Sequence, residues 1–199
     1  MAEPASIRYK NPGAMWGSKL AKKWGSTATV TLNDGKGQGN NIAVFPTYVL
    51  GICAQLDLWR TSALYKNKRF ADAISIWSGH NSVPSYIAYV KARVPGITEN
   101  TIMNDVFWQS PMGVAFLKAQ AGHEAGKPYP APDADWIEAQ KMVFSGKPPA
   151  STQKKTTIAV AAGGAAATAA HQSGLGIGWI VAIGAAAAVA AFLIWRFKK

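Results

Sequence analysis

Residues 110–130 read SPMGVAFLKAQAGHEAGKPYP. Ser110 before Pro111 is a helix start: a hydroxyl to cap the first free amides, then a residue whose missing N–H is not needed there. Val114, Leu117 and Ala121 follow at helical spacing, and the pattern runs into Gly126 and Pro128 just beyond Glu124. The stretch predicts a helix that ends beside an acid.

Its surroundings extend the helical reading. Val49, Ile52, Cys53, Leu56, Trp59, Ala63 and Leu64 recur at three and four, which predicts a helix over 47–65. Phe70, Ile74 and Trp77 give a shorter one. Residues 82–94 carry Tyr86, Ile87, Val90 and Val94 on one side. A short helix is expected over 101–107, and a last one over 133–144, stopped near Gly146. Before these, TATVTL (27–32) alternates as a half-buried strand does, and IAVF (42–45) is a second short apolar run. NDGKGQGNN (33–41) lies between them and is almost all turn residues, so the pair reads as a small antiparallel hairpin. The expected fold class is mainly α, strictly α+β, with one N-terminal hairpin. A domain of about 145 residues suffices for a real core.

Charge divides the chain. It has 199 residues, with 21 Lys and Arg against 10 Asp and Glu. Every acid lies at or before Glu138, and Thr156 to Trp195 contains no charged residue. Leu175 to Trp195, LGIGWIVAIGAAAAVAAFLIW, would span about 30 Å as a helix, one hydrocarbon core. Trp179 and Trp195 sit near its ends and Arg196, Lys198 and Lys199 follow, as at a membrane interface. The expected organisation is a globular domain over 1–146, an Ala/Thr/Gly-rich linker over 147–173, a single transmembrane helix over 174–197 and a basic tail at 198–199. A multi-span transporter is excluded by the single apolar run, and a disulfide scaffold by the lone Cys53. The tail bases suit anionic lipid, and the scattered bases of the domain suit a polyanionic surface such as a bacterial wall. Nucleic acid is the less favoured partner. MAEPASIRYKNPG shows no apolar leader, so insertion by the tail or assembly into a virus-internal membrane is expected.

Glu124 is the acid of most interest. At a helix C-terminus its ionised form faces the negative end of the macrodipole, and partial burial disfavours that form further. A carboxyl kept protonated is what a general acid for glycoside cleavage requires. The plainer alternative is an exposed Glu paired with Lys127 or closing a turn. His123 either tunes Glu124 or is an ordinary half-exposed residue. His80, in WSGHNS, is either a positioning or substrate-binding residue or a simple loop histidine. Trp16 and Trp24, in polar sequence, are either sugar-stacking rings or core. The glycine loop is either structural or a flap over a groove. It lacks the order of a phosphate loop, its single Asp34 is too little for calcium, and the histidines lack metal-ligand spacing. No metal or organic cofactor is expected.

These segments carry a resemblance. IRYKNPGAMW (7–16), IAVFPT (42–47), FADAISIWSGHNSVPSYIAYV (70–90) and GHEAGKPYP (122–130), followed by Trp136, resemble a phage- and alphaproteobacteria-associated group of lysozyme-like proteins. Members open with Arg-x-x-Asn-Pro-Gly, continue through a Trp…Tyr helix pair and close with His-Glu-x-Gly-x-x-(Pro)-Tyr. The segment around Glu124 also resembles the one that bears the catalytic acid in phage-type lysozymes. There the acid precedes the sheet; here it follows, as a circular permutation would give, with Ala125 where Gly is common. The resemblance implies a lysozyme-like fold, Glu124 as catalytic acid, and Asn11, Trp16, His80, Tyr86, His123 and Tyr129 as substrate-binding residues. It implies a lytic transglycosylase-like peptidoglycan glycosidase, associated with a virion and acting on the host wall at entry. Its partners would be glycan strands, the bilayer through 174–197, and neighbouring virion or membrane proteins. The place would be a virion internal membrane or a bacterial envelope. The alternative is a non-enzymatic structural membrane protein that keeps the shape for binding.

Overall fold

A computed structural model describes residues 3–32 and 40–148. The glycine loop 33–39, the linker beyond residue 148 and the expected span 174–197 lie outside the described residues. Among the described residues no helix is long and apolar enough to cross a membrane.

The elements run α1 (Ala5–Arg8), α2 (Lys19–Lys23), β1 (Ala28–Leu32), β2 (Asn40–Val44), α3 (Tyr48–Thr61), α4 (Phe70–Trp77), α5 (Val83–Lys91), α6 (Asp105–Gln109), α7 (Pro111–Ala125) and α8 (Asp133–Ser145). The architecture is mainly helical with one small antiparallel sheet, as the sequence predicts. β1 pairs with β2 in a register running from Ala28 opposite Val44 to Leu32 opposite Asn40. On the other side of β2, Trp16 bridges Ile42, and the Met15 carbonyl accepts from the Ala43 amide at 2.9 Å.

Capping explains the helix starts. Thr47, Asn104 and Ser110 each accept a backbone N–H from the first turn of α3, α6 and α7. The α6 cap also explains a difference from expectation. The Met103 amide donates to the Lys68 carbonyl and Ile102 bridges Arg69, so 101–103 are held as extended chain and the helix begins at Asp105. α7 ends as its sequence indicates, on Gly126 in the left-handed region at φ 64°.

α3 packs against α2, α6, α7 and α8. The core beside it is aromatic: Trp59 stacks on Trp77 at 4.6 Å and meets Phe116 edge-on at 5.3 Å. Cys53 is fully buried there, and burial pushes its thiol pKa up to about 12. Trp24, one of the two sugar-stacking candidates, is core instead. It is 0% exposed, and its indole N–H donates to Asp57 Oδ2 at 2.7 Å, which also accepts from Lys23 at 2.6 Å. Gly51 lets α3 approach the chain at Lys10: a Cβ at Gly51 would lie 1.9 Å from the Lys10 carbonyl oxygen. That contact seats the loop leading to the candidate site.

Candidate active site around Glu124

Glu124 lies in the last turn of α7 and is half-buried. Its Oε1 accepts two hydrogen bonds from outside the helix: the Trp77 indole N–H at 2.9 Å and the Tyr86 hydroxyl at 2.8 Å. Trp77 comes from the end of α4 and Tyr86 from α5, so three helices converge on one oxygen. Both donors are fixed. Trp77 is stacked on Trp59, and Tyr86 is 3% exposed with its ring stacked on His123 at 3.6 Å. Oε2 accepts from no protein donor among the described residues.

Five other carboxylates, those of Asp57, Asp72, Glu99, Asp105 and Asp133, are in ion pairs. Glu124 differs from them. It is half-buried, held by neutral donors and, among the described residues, faced by no cation within salt-bridge distance. Burial, then the Glu124 charge, raises the Tyr86 pKa well above that of a free phenol, so its hydroxyl remains a donor. One turn before Glu124 on α7, Gln120 is fully buried beside Gln55 of α3. Gln55 Nε2 donates to Gln120 Oε1 and to the Leu117 carbonyl, while Gln120 Nε2 is buried without a hydrogen-bond partner among the described residues.

The loops that meet here carry strained backbone. A Cβ on Gly13 would touch Cη2 of Trp77 and Cγ of Gln55 at 3.4 Å each, so the 10–14 loop abuts the ring that holds Glu124. Lys10 and Ala14 in that loop have φ of 51° and 46°. His80 and Ser82, in the turn between Trp77 and Tyr86, have φ of 65° and 48°. Non-glycine residues in the left-handed region concentrate at functional sites, where surrounding structure holds them against their local preference.

The expected site residues do not all gather. Tyr86 touches the carboxyl, and His123 reaches it only through the Tyr86 ring. His80 sits in the adjoining turn, where its Nδ1 meets Ser75 Oγ at 2.8 Å. Trp16 is 54% exposed where it bridges Ile42 at the edge of the sheet. Asn11 requires a correction. It is 0% exposed: Nδ2 donates to the carbonyls of Met15 and Ala43, and Oδ1 accepts from the Met15 amide. With every polar atom engaged it has nothing to offer a ligand, and it acts as a clamp between loop and sheet. Tyr129 is also placed elsewhere. Its hydroxyl donates to the Ser6 carbonyl, and it lines, with Gly122 and His123, a cavity beside α7 that Glu124 does not line.

Sequence reasoning did not single out Trp77, Gln55 or Gln120 for the site. Gln120 carried a usable signal, a polar residue one turn before Glu124 on the same helix face. Trp77 carried none apart from its size. No group of three metal-ligating side chains exists among the described residues.

The chain matches no family model and no curated protein.

His123 gives the site a pH signature. Burial, and secondarily Arg93, lowers its pKa below the ordinary 6.5, against an opposing pull from Glu124. Below about pH 6.5 the unfolded chain therefore binds a proton that the folded chain resists, and stability falls as pH drops through that window. His123→Phe keeps a ring on Tyr86 and removes the titration. Its melting temperature should fall less than the wild type's between about pH 7.5 and 5.5. Equal falls would show that His123 does not titrate this way.

Proposed function

We propose that this protein is a lytic transglycosylase-like glycosidase acting on peptidoglycan, with Glu124 as its single catalytic acid. The observation that carries the reading is the double anchoring of Oε1 by Trp77 and Tyr86. In a protonated carboxyl both bonds fall on the carbonyl oxygen, and the acidic hydrogen is left on Oε2, which no donor among the described residues reaches. Oε2 gives its proton to the oxygen of the bond between N-acetylmuramic acid and N-acetylglucosamine, and the C1–O bond breaks. The carboxylate then takes the proton of the muramic 6-hydroxyl as that oxygen bonds to C1. The acid is regenerated and no water is consumed. Trp16, exposed on the sheet, is the ring on which a sugar face would stack.

The lysozyme-like resemblance supports the substrate, and the uncharged run that ends at Trp195, before Arg196, supports a single-pass anchor at 174–197. The protein would then work from a virion internal membrane or a bacterial envelope. A second reading, a non-catalytic scaffold that binds glycan or a neighbour, has its own support. Glu124 does not line the cavity beyond α7 or the hollow of Ser18, Lys19, Lys22 and Thr29 beside the hairpin.

The test is digestion of purified sacculi by the full chain in mild detergent, with products read by mass spectrometry. Muropeptides ending in the 1,6-anhydro sugar are expected. Hydrolysed ends would assign a lysozyme-type reaction instead, and intact glycan would leave the scaffold.

A further inference from the structure

On α7 the residues Ala115, Ala119 and Gly122 form a face of small side chains roughly 170° round the helix from Glu124, at about 100° per residue. That face is the floor of a cavity of about 750 Å³. Its walls include Tyr89, Arg93, Lys118, Lys127, Tyr129 and Trp136. Gly122 keeps it open, since a Cβ there would lie 3.0 Å from the Tyr89 hydroxyl.

The charges on these walls are unevenly matched. Lys118 is paired with Asp133 at 2.8 Å. Arg93 and Lys127 are in no ion pair among the described residues. Arg93 is already oriented: its guanidinium carbon lies 3.6 Å over the Tyr89 ring centroid, and Nη1 donates to the Tyr89 carbonyl at 3.1 Å. Its remaining N–H groups are available to a ligand. A planar carboxylate is satisfied by one guanidinium, whereas a tetrahedral dianion takes donors from several directions, as separate cations on different walls supply. The space far exceeds one phosphate, and the aromatic rings suit the apolar face of a sugar or polyol.

We propose that this cavity binds a phosphate ester carried on a sugar or polyol, at a site separate from Glu124. Phosphate would lie between Arg93 and Lys127, with the carbon skeleton against Tyr89 and Tyr129. The ligand is either a soluble sugar phosphate or the headgroup of a phosphoglycerol lipid, and the two share this chemistry. The site does not depend on the glycosidase reading.

Calorimetry on the full chain in detergent tests it, with glucose 6-phosphate, glucose, inorganic phosphate and short-chain phosphatidylglycerol as probes. Binding of glucose 6-phosphate at least about tenfold tighter than of glucose or inorganic phosphate assigns a soluble ligand. The same preference for phosphatidylglycerol over a phosphatidylcholine control assigns a headgroup. In either case Arg93→Gln and Lys127→Gln, both at exposed positions, should each weaken binding by about tenfold. Glu124→Gln should leave it unchanged. Equal, weak binding of all probes, or binding indifferent to Arg93 and Lys127, overturns the proposal.

Discussion

Glu124→Gln is expected to lower the rate of peptidoglycan cleavage by about 10²- to 10⁴-fold, the range typical of losing a general acid. The fold should survive. The glutamine carbonyl can occupy the place of Oε1 and still accept from Trp77 and Tyr86, while its NH₂ replaces Oε2 and cannot protonate a glycosidic oxygen. The loss should therefore fall on kcat, with melting temperature and glycan binding preserved. Tyr86→Phe tests the anchoring directly. It removes one of two donors from Oε1 but leaves the ring against His123, and about a tenfold loss is expected from a less well-fixed acid. Clearing of sacculi by Glu124→Gln at the wild-type rate would remove this carboxyl from the mechanism. The bonds from Trp77 and Tyr86 to Oε1 would then be structural alone.

The helices from α3 onward and the hairpin could be read from sequence because their signals are local. Period three-to-four, a Ser, Thr or Asn cap and a terminal glycine need no tertiary partner to be recognised. α1 and α2, of four and five residues, are too short to display a period. The start of α6 was displaced because backbone groups of Lys68 and Arg69, more than thirty residues earlier, hold 102 and 103 as a strand-like segment. The candidate site divides in the same way. Glu124 stood out because a helix end and a glycine fixed its setting. Trp77 did not, since a tryptophan on the apolar side of a helix reads as core, and through Trp59 it is also core. The motif that groups Tyr129 with Glu124 is parted in the structure: after the left-handed Gly126 the Tyr129 hydroxyl donates to the Ser6 carbonyl and makes no hydrogen bond to the carboxyl.

The role of Asn11 separates the two kinds of residue most sharply. As a ligand contact, its loss would raise KM and spare stability. In the structure its amide instead joins Met15 and Ala43 through three buried hydrogen bonds, holding the 10–14 loop to β2. Asn11→Ala would leave the Ala43 carbonyl and the Met15 amide without the partner that Asn11 supplies, each at a cost of about 1–3 kcal/mol, while the Met15 carbonyl keeps the Ala43 amide. A total destabilisation of about 3–5 kcal/mol is expected, at the upper end for a single substitution, with a fall in melting temperature on the order of 10 °C. Asn11→Asp should be comparably harmful although nearly isosteric: it keeps the acceptor for the Met15 amide but turns a second oxygen toward the two carbonyls that Nδ2 now serves. Because the loop abuts Trp77 through Gly13, both variants should also lose cleavage activity, and that loss should lessen at temperatures where the variant is fully folded. An Asn11→Ala protein that melts with the wild type and differs only in KM would restore Asn11 to the binding surface.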